Sequence, residues 1–167
     1  MHVRPYQAGD MDRCLIVFDS NTPRFFHASE RVLFERFLKQ PYGVFLVIED
    51  DPGSLVACGG YDIDSAAKTG ILTWGMVIRD YHGRGFGTAL ALARLNSLAE
   101  TPGIERIIIE TSQYANEFFE AFGFTTEQIT EGGFAPGLHK YDMVMPLDAA
   151  RRRTIREQWA ALTAARS

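Results

Sequence analysis

A chain of 167 residues, 46% hydrophobic and 12% aromatic, is long enough to bury one core without covalent staples, so a single domain is expected. Its formal net charge of -4 argues against a nucleic-acid backbone as main partner, and no stretch suits a membrane span or a signal-peptide core. Cys14 and Cys58 show no CxxC or His/Cys spacing, which argues against a disulfide framework or metal site and suggests a cytoplasmic protein.

His2 to Tyr6 reads as a short strand, and Asp10 as the cap of a first helix with Leu15, Ile16 and Phe18 on its apolar side. Asn21-Thr22-Pro23 breaks it. Helical spacing of Val32, Leu33, Phe34, Phe37 and Leu38 predicts a second helix from Ser29 to Gln40, ended by Pro41-Tyr42-Gly43. The period then changes. Val44–Glu49, Leu55–Ile63 and Ile71–Ile78 read as strands, and the short turns between them imply an antiparallel meander.

The third of these strands runs into Tyr81-His82-Gly83-Arg84-Gly85-Phe86-Gly87-Thr88, three glycines at alternate positions before a helix from Phe86 to Ala99. Glycine allows a close backbone approach, and the helix start offers unpaired N–H groups and a positive dipole end. The pattern predicts a phosphate or pyrophosphate site. A dinucleotide fingerprint needs a third glycine where Thr88 stands and a parallel βαβ unit, and no Gly-Lys-Ser/Thr follows for a nucleoside triphosphate.

Further on, Ile107-Ile108-Ile109 within Ile104–Glu110 suggests a strand buried on both faces. Thr111 or Ser112 can cap a helix from Gln113 to Phe122. Phe124–Thr130 and His139–Leu147 read as strands around a flexible Glu131 to Gly137. After Pro146 the tail is helical, with Ile155, Trp159 and Leu162 on one side, a packing or dimer face. Its Arg151-Arg152-Arg153 reads as a solvated face. The order predicts an α+β fold around one mixed, mostly antiparallel sheet.

Val77 to Gly87 resembles the acyl-CoA signature of the GNAT superfamily of N-acetyltransferases, and Thr111 to Phe124 resembles that family's second CoA-contacting helix with its closing Gly-Phe. The resemblance covers Val3 to Leu147. It implies a GNAT-like sheet with helices on both faces over residues 1–147, and a helical extension of the same domain over 148–167. It further implies direct acetyl transfer from acetyl-CoA to a primary amine of a small molecule or peptide; that no metal, nucleic-acid or membrane partner is expected follows from the charge, cysteine spacing and apolar runs above. A homodimer through the C-terminal helix is a further expectation. The alternatives are a non-catalytic acyl-CoA-binding or regulatory module and transfer of a longer acyl group.

Carried over by position, Gly83, Arg84, Gly85, Phe86, Gly87 and Thr88 would cradle the CoA pyrophosphate, with His82 where the family usually has Gln or Arg. Gly75, Met76 and Val77 would pair with pantetheine, the Val77 N–H polarising the thioester carbonyl. Ser112, Asn116, Phe118 and Phe119 would be further cofactor contacts, Met76 and Phe118 having a core role as the alternative. Phe119 stands where many members have a Tyr as general acid. Tyr114, Tyr141, Tyr81 or water are the substitutes, and an alkyl thiolate with a pKa of about 8.5 is a fair leaving group without one. Glu110 is the candidate general base through water, with His139 as the alternative. Phe25, Phe26, His27, Tyr42, Phe134 and Tyr141 are the aromatic candidates for the acceptor side, and Cys58 reads as a buried small residue.

Overall fold

A computed structural model describes residues 1–165. One seven-stranded sheet carries the chain: β1 (His2–Pro5), β2 (Val44–Glu49), β3 (Leu55–Asp64), β4 (Thr69–Val77), β5 (Arg106–Ser112), β6 (Thr125–Ala135) and β7 (Leu138–Pro146), in the order β1-β2-β3-β4-β5-β7-β6. Every neighbouring pair is antiparallel except β4 and β5. The helices are α1 (Met11–Ser20), α2 (Arg31–Lys39), α3 (Phe86–Glu100), α4 (Asn116–Glu120) and α5 (Ala149–Ala164). This is the expected α+β layout.

Two packed layers hold the sheet between them. On one face, Phe18 of α1 and Phe34, Phe37 and Leu38 of α2 pack on Phe45, Val47 and Cys58. On the other, α3 is apolar nearly all round because the sheet covers one side and α5 the other. Ile155 of α5 joins Leu98, Ile107 and Met145 there, and Leu162 packs by Ile48 and Val56. Ile155 and Leu162, two of the three residues on the apolar side of α5, thus pack within the chain.

The β4–β5 pairing is short. Its parallel register runs from Thr69↔Arg106 to Leu72↔Ile109 and stops. Beyond it, Cys58 faces Met76 while Gly60 faces Thr73, so β4 carries one more residue than β3 between the same two rungs. That bulge, at Trp74 and Gly75, turns the end of β4 away from β5, as bulges do. Trp74 adopts a left-handed φ of 46°, uncommon for a bulky side chain. Glu110 to Ser112 stay paired with β7. A wedge opens between the two strand ends.

Several sequence expectations change. Asp10 does not cap α1 with its side chain; its carboxylate accepts the Gln7 N–H at 2.8 Å and pairs with Arg4 at 2.7 Å. Thr111 and Ser112 belong to β5, and the helix after them shrinks to Asn116–Glu120. The supposedly flexible Glu131 to Gly137 is mostly β6, which runs on to Ala135 before a turn at Pro136 and Gly137. Arg151 and Arg152 are not a solvated pair: Arg151 donates to Phe122 O, and Arg152 to the carbonyls of Ala99, Thr101 and Ile104. Arg152 serves the carbonyl end of α3 and the loop after it, groups a helix cannot pair internally, and Arg151 serves the turn after α4. Ile108 is only half-buried, because its face of β5 looks into the wedge.

Candidate functional site

The wedge holds two adjoining cavities. The first, about 300 Å³, lies beside the glycine loop. Its wall includes the splayed end of β4. Ile78 donates its N–H to Val56 O at 2.8 Å, so strand alternation turns the N–H and C=O of Val77 away from β3 and toward the wedge. Two side chains occupy that carbonyl: Asn21 Nδ2 donates to it at 2.8 Å, and His82 Nε2 lies 2.9 Å from it. A carbonyl only accepts, so His82 carries its proton on Nε2. His82 is thereby spent on holding the strand end, with Phe25 packed edge-on against its ring.

Gly83 and Gly85 have φ of 75° and 84°, a region open to glycine at little cost. Gly85 is the N-cap of α3 and has no side chain to satisfy the first-turn N–H groups, which stay available for an anion. Arg84 lies over the Tyr81 ring, 4.6 Å from its centroid, and Tyr81 in turn packs on the buried Phe86. The loop is therefore braced by stacking beneath a main-chain surface.

Among the sequence-predicted residues, Gly75, Met76, Val77, His82, Gly83, Gly87, Phe118 and Phe119 line this cavity. Phe86 is core, Asn116 donates to Glu120 at 3.3 Å, and Ser112 faces the second cavity, its Oγ accepting the Tyr114 N–H at 3.3 Å. Neither cavity is lined by Arg84, Gly85 or Thr88. Phe119 is 7% exposed and edge-packed between Phe118 and Phe124, with no hydroxyl to give. Tyr114 lines the cavity, edge-on to Phe25 and 5.2 Å from the Arg24 guanidinium; Tyr81 and Tyr141 line neither cavity.

The second cavity, about 520 Å³, lies between β4, β5 and the segment joining α1 to α2. Ile71 and Ile108, partners across the parallel pair, are part of its lining. Phe25, Phe26, Tyr42, Trp74 and Phe134 supply rings, whereas His27 and Tyr141 do not reach it. Its two charged lining residues are Glu30 and Glu110. Burial raises the Glu30 carboxyl, partly offset by the His27 N–H donating at 2.8 Å. Glu110 is exposed and faces Lys140 Nζ at 3.4 Å, and its charge raises the Lys140 ammonium. His139 is instead structural: Nδ1 accepts the Gly132 N–H at 3.0 Å within the β6–β7 hairpin.

Sequence reading missed Trp74, Glu30, Asn21 and Arg94. Only Arg94 left a visible signal, as a lone cation in the apolar run Ala89-Leu90-Ala91-Leu92-Ala93-Arg94-Leu95. Cys58 is fully buried against Cys14, and burial pushes its thiol well up, so it is no nucleophile.

A central sheet whose single parallel pair parts around a glycine loop and helix N-terminus defines an acyltransferase-type architecture. The family model described as "Acetyltransferase (GNAT) family" matches residues 14–124, and the chain belongs to that family. Among solved structures, a GNAT-family protein from Desulfovibrio desulfuricans is similar over 88% of this chain and 99% of its own, with a TM-score of 0.73 and 21% identity. The ribosomal-protein-S18-alanine N-acetyltransferase of Escherichia coli matches over 88% and 94%, at a TM-score of 0.71 and 16% identity. An aminoglycoside 6'-N-acetyltransferase complexed with coenzyme A matches over 89% and 98%, at 0.70 and 13%. At such identities the shared property is the fold. No curated protein sequence matches the chain.

Proposed function

We propose that the protein transfers the acetyl group of acetyl-CoA directly to a primary amine, with both reactants in the one wedge. The observation that supports this best is the Val77 N–H, turned away from β3 at the end of β4, beside an uncapped helix start. The loop from Gly83 to Thr88 would take the pyrophosphate, and pantetheine would lie along Gly75, Met76 and Val77 as a replacement strand. The Val77 N–H would then polarise the thioester carbonyl. One ternary complex needs no covalent enzyme intermediate.

On the other side, Glu110 would accept the amine proton through water; its exposure suits that route. The rings around the larger cavity, with only Glu30 and Glu110 charged on its wall, favour an ammonium carried on an apolar, ring-bearing body. Polyamines and amino acids fit that wall less well, the first for their spaced charges and the second for their carboxylate. A reaction using acetyl-CoA suits the cytoplasm, and two unbridged cysteines agree with a reducing compartment. No described helix is long and apolar enough to cross a membrane. We read residues 148–164 as part of the same domain, since α5 packs on α3.

The test has two stages. Acetyl-CoA, and not NAD, should raise the melting temperature; no shift with either overturns the reading. Thiol release is then followed with 2-phenylethylamine, spermidine, glycine and an aminoglycoside. The phenylethylamine should react fastest. Binding without turnover on any amine would favour the non-catalytic module, in keeping with Phe119 in place of a tyrosine.

A further inference from the structure

Arg94 sits in the middle of α3 and is 2% exposed, yet it is paired with no carboxylate among the described residues. Burying an unpaired cation is costly, and proteins rarely retain one without a partner. Room has been made for it. A Cβ on Gly75 would come within 2.8 Å of both Nη1 and Nη2, and one on Gly59 within 3.2 Å of Nη1. The guanidinium therefore lies directly under the β4 bulge.

Its hydrogen bonds are incomplete. Nε donates to Leu90 O at 3.1 Å, and Nη1 makes only long contacts, 3.4 Å to Gly60 O and 3.5 Å to Thr73 O. Nη2 has no acceptor among the described residues, and Arg94 is part of the wall of the smaller cavity with Gly75 and Phe119. The same cavity that lacks a tyrosine hydroxyl at Phe119 has a fixed cation instead. The titratable group that acts on Arg94 is Cys58 of β3, whose thiol burial keeps protonated, while His82 and Tyr114 share the cavity wall. Burial pushes the guanidinium down to about 10, which leaves it charged at neutral pH.

We propose that Arg94 is an electrostatic catalytic residue: its Nη2 faces the thioester and stabilises the negative charge that reaches sulfur as the acyl–sulfur bond breaks. The inference rests on the acetyl-CoA reading above. In the step itself, the amine lone pair forms the N–C bond and the carbonyl π pair moves onto oxygen. Collapse restores C=O and breaks C–S, and that electron pair stays on sulfur. The amine proton leaves through water toward Glu110. The product thiolate, paired with Arg94, takes its proton from solvent on release, so no side-chain acid is needed at Phe119.

The experiment titrates the thiol of CoA bound to the full chain, read by the ultraviolet absorbance of the thiolate. Bound to wild type, it should ionise at least about tenfold more readily than a free alkyl thiol of pKa about 8.5. Arg94→Met should abolish that shift and lower kcat about 100- to 1,000-fold, the size of losing one oxyanion donor, while CoA affinity changes by less than about threefold. Arg94→Lys should keep most of the shift. An unshifted thiol in wild type, or an Arg94→Met enzyme with normal turnover, overturns the inference and leaves the acetyl-CoA reading standing. Failure of wild type to bind CoA overturns both. Should Arg94→Met not fold, the wild-type titration and the Lys variant still decide, and a Lys variant without the shift reduces Arg94 to a clamp on the bulge.

Discussion

The two halves of the wedge are made of different material. On the side of the glycine loop the surface offered to a cofactor is largely main chain, from the start of α3, the strand end at Val77 and glycines at 75, 83, 85 and 87, with Arg94 as the cation set in the cavity wall. On the side of the larger cavity it is side chain, with rings from Phe25, Phe26, Tyr42, Trp74 and Phe134 and carboxylates from Glu30 and Glu110. Main-chain groups are present whatever the sequence, so the first surface can persist among proteins that share 13–21% identity with this chain. Side chains are replaced freely. The second surface is where relatives of one fold would come to differ in acceptor.

The contrast can be broken by removing main-chain groups. Val77→Pro takes away the N–H that points into the wedge without costing β3 a ladder bond. Its kcat should fall about 100- to 1,000-fold, as for one oxyanion donor, with acetyl-CoA still stabilising the fold in a melting assay. A variant with unchanged kcat would remove the main chain from the chemistry.

On the side of the larger cavity the effect should be nearly as large but differently distributed. Glu110→Gln should lower kcat by at least about 100-fold, the low end for general base catalysis, and leave acetyl-CoA affinity unchanged. Turnover that survives would move the base to Glu30 or to bulk water. Gly85→Val forces a β-branched residue to a φ of 84°, a strain of roughly 1–3 kcal/mol. Acetyl-CoA should bind about 5- to 150-fold more weakly in titration calorimetry, with kcat recovered at saturation.

The smallest effect lies outside both halves. Arg4 holds the Asp10 carboxyl below its usual range through two hydrogen bonds, and the Glu49 carboxyl likewise. A carboxylate lowered by folding stabilises the fold above its unfolded pKa, about 3.9 to 4.3, and the contribution is lost as the pH falls through the folded value. Arg4→Met should remove that pH-dependent part: its melting temperature should fall short of wild type at pH 7 and approach it in acid. Both Michaelis constants should stay at wild-type values, since none of these residues lines either cavity.

Main chain and side chain also differ in how far they can be read from sequence. The glycine loop was legible because Gly83, Gly85 and Gly87 announce themselves by type and spacing. The order of strands and helices was legible from its periods, and Phe119 was visible as a ring without a hydroxyl. The bulge was not. Nothing in the residue type of Trp74 signals a left-handed backbone, and the register shift that opens the wedge arises from pairing between β3 and β4. Ile108 looked buried because it sits among isoleucines, yet with its partner Ile71 it lines the larger cavity. Arg151 and Arg152 looked solvated because a run of arginines usually is; only the packing of α5 brings carbonyls within their reach.

Trp74 also makes the molecule its own instrument. Its peptide forms the bulge along which the thioester would lie, while its indole is tilted against Phe34, ring centroids 4.9 Å apart, and lines the larger cavity. The only other tryptophan, Trp159, lies on α5 and lines neither cavity. With that residue changed to Phe, a single tryptophan, excited apart from the tyrosines, stands beside the junction of the two cavities. One emission spectrum can then follow the filling of each, and the order in which donor and acceptor arrive becomes an optical measurement.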